Sequence, residues 1–321
     1  MILLVLLLGQ AEPADDLGRG PLHMTSLSPF QTLRSGLTPR PPSGLPEGIW
    51  ELRITESWAN LWAFDEDDLL IDLEILHNNA AIGLGLGRGF RADLELEATT
   101  RFGGTLDGLI NSVHNILGAG SRHREDFPKD DFQFDLQGRD GHPSARLSNR
   151  DRGLFSSSVV GTLQWTFSEG GPGRPALSAA LSWRADVGKN TDLRGGSPVD
   201  VAFSVAAAER WGPLLFSASL LAAWYGAEDF KGIDLRAFQG ACLAAVEWPF
   251  HPEASLLLQY LLSRGAAEDW MNLSLPSHEI MLGMKMDLGG GASGEIGILE
   301  NLAIPDNSPD FGVHAGLAFR F

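Results

Sequence analysis

The chain has 321 residues, with Lys+Arg 24 against Asp+Glu 41 and a formal charge of -17. That balance argues against a nucleic-acid partner, because phosphate binding needs a basic surface, and the single cysteine, Cys242, leaves no intrachain disulfide and no thiolate metal centre. No apolar run approaches the roughly 20 residues of a membrane-spanning helix, so residence in a membrane would have to come from strands.

Ile2 to Leu8 is an apolar run followed by Gly9-Gln10-Ala11, the small-x-small form of a signal-peptidase site. Residues 1–11 are therefore expected to be a signal peptide, and with no basic residue ahead of the run a start further upstream is expected. Residues 12–48 are rich in Pro, Gly and Ser and end in Pro39-Arg-Pro-Pro-Ser-Gly-Leu-Pro46, which cannot form a ladder. They read as a periplasmic lead-in to a barrel over 49–321.

Strand signals begin at Ile49. Trp50, Leu52, Ile54 and Trp58 share one face and Glu51, Arg53, Thr55 and Ser57 the other. Leu69, Ile71, Leu73 and Ile75 oppose Asp72 and Glu74, after which the apolar parity moves to Ile82, Leu84 and Leu86; a bulge near His77-Asn78-Asn79 is expected there. Phe90, Ala92, Leu94, Leu96 and Ala98 then oppose Arg91, Asp93, Glu95 and Glu97. Residues 102–153 break the pattern and read as one long outer loop. Within it Leu106, Leu109, Ile110, Val113 and Leu117 fall at helical spacing, predicting a short helix over 105–118 that folds into or over the barrel mouth. Its partners would be the inward-facing Leu215, Leu221, Leu257 and Leu261.

Alternation resumes from Val159 to Phe167 and from Leu177 to Val187, with Arg184 and Asp186 on the polar face, and recurs in seven further segments to the end of the chain. The last, Phe311 to Phe321, is apolar at every odd position. Short turns all fall at one end if 102–153 is a single loop, giving an all-β antiparallel transmembrane barrel of about 12 strands, with 14 possible, an even number as such barrels require. The lumen-facing charges expected are Arg53, Asp72, Glu74, Arg91, Asp93, Glu95, Glu97, Arg184 and Asp186. Phe319 and Phe321 are the expected assembly signal, read by the barrel assembly machinery. Eight tryptophans near strand ends read as headgroup-level girdles in outer-membrane lipid.

Three stretches carry a resemblance: Gly20-Pro-Leu22 with Ser28-Pro-Phe30 and Leu45-Pro-Glu-Gly-Ile-Trp50; Leu106-Asp-Gly-Leu-Ile110 through His114 to Arg124-Glu-Asp-Phe-Pro128; and Ser308-Pro-Asp-Phe311 to the end. Together they resemble a family of bacterial exported proteins catalogued as domain of unknown function 3187. The resemblance implies an outer-membrane barrel and no activity or site. Where it leads one to expect a Leu-Pro-Thr-Gly-Asp turn, this chain reads Arg184-Ala-Asp-Val-Gly-Lys-Asn-Thr-Asp192.

No catalytic constellation is legible. Ser277 and His278 are adjacent on a strand and so point to opposite faces. His114, His123, His142 and His314 lack ligand spacing, and no metal or cofactor is expected. The expected function is a narrow passive channel or uptake barrel for small solutes. The alternatives are an outer-membrane hydrolase, or a structural or interaction barrel acting through its long outer loop.

Overall fold

The computed structural model describes residues 18–65, 68–106, 128, 131–137, 144–147, 151–188, 193–194, 199–303 and 305–321. In chain order its strands are β1 (Trp50–Asp65), β2 (Leu69–Gly87), β3 (Phe90–Phe102), β4 (Gln133–Leu136), β5 (Ala145–Leu147), β6 (Gly153–Gly171), β7 (Arg174–Asp186), β8 (Leu193–Arg194), β9 (Val199–Trp211), β10 (Leu214–Trp224), β11 (Asp229–Phe230), β12 (Ile233–Asp234), β13 (Phe238–His251), β14 (Ala254–Ser263), β15 (Ser277–Gly289), β16 (Ala292–Ala303) and β17 (Phe311–Arg320). All long pairings are antiparallel, and β1 pairs with both β2 and β17, so the sheet closes as a 12-strand barrel with β4 and β5 appended to the outer end of β2. Closure leaves no unpaired edge in lipid, which is the condition for a sheet to cross a membrane. The strands β8, β11 and β12 form a small sheet of their own in the loops.

The outer surface is apolar at alternate residues, with Leu94, Leu96, Leu163, Leu181, Phe203, Leu220, Leu258, Leu282, Ile298 and Leu317 all exposed. Aromatic residues mark the two ends of this belt. Trp50, Trp165, Trp211, Trp248 and Phe321 lie at the short-turn end, while Trp183 and Trp224 lie toward the other and are also exposed. Trp62 and Trp270 are buried instead, Trp270 in the packing of the outer loops. A closed barrel with this belt sits in the bacterial outer membrane, short turns on the periplasmic side.

Two expectations about the wall are corrected. The β1–β2 register runs without a shift from Trp50↔Leu84 to Asp65↔Leu69, so there is no bulge at 77–79 and no change of parity. The odd residues of β2 face inward throughout, which puts Leu69, Ile71, Leu73 and Ile75 inside and Asp72 and Glu74 outside, on the parity of Trp58 and Trp62. The reason is length. Nineteen residues of strand tilted as in other barrels rise well over 40 Å, against an apolar belt of about 25 Å. The outer end of β2 therefore stands clear of lipid, and its inner face packs an apolar core instead. That core contains Leu61, Leu69, Ile71, Leu73 and Ile75 with Phe134 and Leu136 of β4, Phe230, Trp270 and Leu273 from the loops, and Phe30 and Leu33 from the segment ahead of the barrel.

Of the expected helix over 105–118, Thr105 and Leu106 are described and Leu109, Ile110, Val113 and Leu117 lie outside the described residues. Leu106 packs on Trp58, Phe311 and Val313, the outer face of the wall, and does not enter the lumen. The Thr105 and Leu106 N–H groups donate to Glu74 at 2.7 and 2.6 Å, and the Trp58 indole donates to its other oxygen at 2.6 Å. Glu74 is thus an outward carboxylate covered by the start of the outer loop.

Candidate functional site

The lumen is occupied by residues 18–46, where the sequence pattern predicts a periplasmic lead-in outside the barrel. The segment enters at the periplasmic mouth, climbs to the outer core at Phe30 and Leu33, and descends to join β1, so it forms a hairpin with a rising leg and a return leg. Its apolar residues explain the seating. Leu22, Met24, Leu27 and Leu37 are buried against Leu243, Leu257, Leu261, Met281 and Leu299 of the inner wall. Leu257 and Leu261, which the pattern marked as wanting an apolar partner, find it here, and burying each such side chain is worth about 1.5–3 kcal/mol.

Wall carboxylates hold the rising leg by its backbone. Glu247 accepts from the Arg19 and Gly20 N–H groups at 2.9 Å, Glu295 from His23 N–H at 2.9 Å, and Glu279 from Leu27 N–H at 3.2 Å and from the Ser26 hydroxyl. Lys285 donates to the Pro21 carbonyl at 2.5 Å and pairs with Glu295 at 2.9 Å. On the return leg, Arg34 donates to the Arg236 carbonyl and lies over the Tyr225 ring at 3.8 Å. Asp200 accepts from Ser35 N–H at 2.9 Å, Arg40 pairs with Glu95, and the Pro41 and Pro42 carbonyls accept from Gln164 and Thr166 at 3.0 and 2.7 Å. His23 stands between the legs. Its Nδ1 lies 3.1 Å from the Pro39 carbonyl, and Arg53 Nη1 lies against both ring nitrogens, a donor that favours the neutral ring. Burial, and then the adjacent Arg53, push the imidazole down to about 4.

The inner-face positions expected from the pattern fall as follows. Arg53, Arg91, Asp93, Glu95, Glu97, Arg184 and Asp186 lie on the lumen side, and Asp72 and Glu74 do not. The lumen charges are paired off. Arg91 holds Asp93 at 2.6 Å and reaches across β2 to Glu51 at 2.8 Å, while Arg53 and Arg320 reach the same Glu51 at 2.7 and 2.9 Å. Gly83 makes this possible, since a Cβ there would meet Arg91 Nη2 at 2.8 Å. Two positions along, Gly85 leaves room for the carbonyls of Leu45 and Pro46 against the wall. Arg184 lies 2.8 Å from Asp186, 3.4 Å from Glu97 and 3.7 Å from Asp200. Glu51 shares the polar face of Arg53 in the sequence pattern without being among the expected lumen charges, and Asp200, Glu247, Glu279 and Glu295 are not singled out by it. The available signal was the run of apolar residues in 22–37, which a solvated linker has no need of.

One narrow, open-sided space remains between the return leg and the wall, bounded by Ser35–Thr38, Arg40, Glu97, Thr162, Ser182, Arg184 and Leu221. A second adjoins it on the periplasmic side and shares Leu37, Thr38, Arg40 and Ser204 with it. A hydrogen-bonded Ser57–His314–Glu295 chain also faces inward, with Ser57 Oγ 2.8 Å from Nδ1 and Nε2 2.9 Å from the carboxylate. Neither of these two spaces is lined by any of its three residues. Ser277 points inward to Glu279, whereas His278 points outward to Tyr260 at 2.6 Å. No group of metal-ligating side chains occurs among the described residues.

The family described as protein of unknown function (DUF3187) matches this sequence over residues 1–321. The chain belongs to that family. Among solved structures, the DUF3187 barrel is similar in fold to the COG4313 outer membrane channel from Pseudomonas putida F1, at 11% identity and TM-score 0.54 over 89% of this chain and 100% of that one. The NanC porin matches at 10% identity and TM-score 0.48 over 84% and 98%. The translocator domain of the autotransporter NalP from Neisseria meningitidis matches at 11% and 0.47 over 86% and 90%. No curated protein matches the DUF3187 sequence.

Proposed function

We propose that this DUF3187 barrel is a narrow passive channel or uptake barrel for small solutes, with the hairpin 18–46 as its resident plug. The observation that supports the reading is the pair of adjoining spaces beside the return leg, inside a closed 12-strand wall. A 12-strand wall leaves limited interior room, so an aperture reduced further by a plug admits only small molecules. The similar fold from Pseudomonas putida F1 is named an outer membrane channel, which agrees with the proposal. Reconstitution in liposomes and planar bilayers tests it. The intact protein should pass small solutes slowly with a small conductance, and deletion of Arg19 to Pro46 should raise that conductance severalfold. A folded barrel silent in both forms would overturn the reading.

A second reading rests on Ser57–His314–Glu295, which has the residue types of a hydrolase triad but uses the imidazole the other way round, Nδ1 on the serine and Nε2 on the carboxylate. Against it, the Ser57 backbone is engaged in the sheet on both sides, paired with His77 and His314. Labelling of Ser57 by a serine-directed phosphonate, lost in Ser57→Ala, would support it; absence of labelling in the plug-deleted barrel would remove it.

A further inference from the structure

We infer that solute passes between the return leg and the inner face of β6, β7, β9 and β10 while the plug stays seated, that the route suits small uncharged polyhydroxyl molecules, and that Arg40 sets its width. The inference rests on the channel reading above and goes further in naming a path, a solute class and a controlling residue.

The two sides of the lumen differ in kind. Toward β13–β16 the wall carries Leu243, Leu257, Leu261 and Met281, closed onto Leu22, Met24 and Leu27 of the rising leg. Leu22 seats on Gly283 and Gly297, whose missing side chains receive it. Toward β7, β9 and β10 the wall is lined by small residues, among them Ala180, Ser204, Ala206 and Ser219, and it is here that both spaces lie. They follow one another down the barrel. Thr162, Ser182 and Leu221 bound the outer one, Gln164, Ser178 and Ser219 the periplasmic one, and Ser204 both.

The chemistry of the lining selects the solute. Hydroxyl groups from Thr38, Ser178 and Ser204, with the Thr162–Ser182 pair 2.9 Å apart, offer donors and acceptors along the path, beside Gln164 on the Pro41 carbonyl. The charged groups beside it are already engaged. Glu97 accepts from Ser158 at 2.8 Å and pairs with Arg184, Arg184 pairs with Asp186 and Asp200, and Arg40 pairs with Glu95. An anion entering the gap would meet Glu97, Asp186 and Asp200 gathered on one arginine, and a cation would give up its water for carboxylate oxygens already shared with Arg184 and Ser158, whereas a polyol exchanges its hydration for the lining hydroxyls. Arg40 borders both spaces. One arm of its guanidinium is on Glu95, and the side chain stands between the return leg and the wall, so that its size sets the aperture.

The test locks the plug and varies the gap, in a Cys242→Ala background. A Cβ at Gly36 would lie 3.7 Å from the Thr25 Cβ, and one at Gly44 4.0 Å from the Thr166 Cβ, both within disulfide reach. The pairs Thr25→Cys with Gly36→Cys, and Gly44→Cys with Thr166→Cys, therefore tie the legs to each other and the return leg to β6. Liposomes should swell in glycerol and xylitol at similar rates with the locked barrel and with its reduced form, and more slowly in gluconate or ethanolammonium of similar size. Arg40→Ala should speed polyol entry severalfold, Arg40→Lys less so, and Ser204→Trp should stop it in a barrel that still folds. Loss of polyol flux on oxidation with recovery on reduction would overturn the inference, as would entry indifferent to both Arg40 substitutions and to Ser204→Trp, or faster entry of either ion than of the polyols. Flux seen only after plug deletion would overturn this route and leave the channel reading standing. Silence in every form would overturn both.

Discussion

His23 is where a single proton bears on the plug. In the seated hairpin its ring is neutral with a pKa of about 4, held down by burial and by Arg53, against 6.5 for a free histidine side chain. A depressed pKa on a base means that seating is most favourable above 6.5 and weakens as pH falls toward 4, by at most about 3 kcal/mol. The groups facing the ring are Arg53 on β1, Glu95 on β3, Arg40 on the return leg, and Glu295 through the His23 N–H. Hydrogen exchange of the 19–46 amides, corrected for intrinsic rates, should show protection falling between pH 6.5 and 4, and His23→Gln should flatten that dependence. Equal protection at both ends of the range in the unmodified protein would count against the argument.

Among the elements, the start of the outer loop shows how a charge can sit on the outer face of a barrel. Glu74 is fully buried because the Trp58 indole and two loop N–H groups satisfy it, and Leu106 closes over the site on Phe311 and Val313. Removing the acceptor orphans three donors, each costing on the order of 1–3 kcal/mol where water cannot replace it. Glu74→Ala should therefore release the loop, read as faster proteolysis within 103–131, with the heat-modifiable gel shift of the folded barrel retained. Glu74→Gln keeps acceptor oxygen and should fall between the two. The plug hairpin is the complementary case: backbone amides in a Pro- and Gly-rich segment that forms no ladder are satisfied by carboxylates projecting from the wall.

For the whole molecule the seam decides whether a barrel exists. β1 and β17 pair from Glu51↔Arg320 to Asn60↔Phe311, and beyond the last of these strands Trp50 and Phe321 exchange both backbone hydrogen bonds, at 2.9 and 3.0 Å. Phe319 and Phe321 then present their rings outward beside Trp50 and Leu52. Phe321→Ser keeps the backbone pairs but puts a hydroxyl at the lipid boundary. The expected result is a smaller fraction of heat-modifiable folded protein in the outer membrane at unchanged export, and an unaltered folded fraction would argue against a role for the ring.

Period-two alternation determined the wall from sequence, because in a one-layer barrel each strand residue meets either lipid or lumen and its polarity reports which. Strand bounds such as Leu214–Trp224 and Ala254–Ser263, the closure and the outer membrane follow from that local rule, and Arg53, Arg91, Glu97 and Arg184 could be placed on the inner face by parity alone. The rule fails where a third environment enters. At the outer end of β2 an apolar inner face meets loops and plug, so Leu69 to Ile75 read as lipid-facing and Asp72 and Glu74 as lumen-facing when the reverse holds. The occupant of the lumen was equally beyond reach. Leu257 and Leu261 showed that the inner wall wanted an apolar partner, yet nothing periodic in residues 18–46 marked them as that partner in preference to Leu106 to Leu117. Their conformation is irregular, and it exists only because Glu247, Glu279, Glu295 and Asp200, hundreds of residues away in sequence, converge on its amides once the barrel has closed.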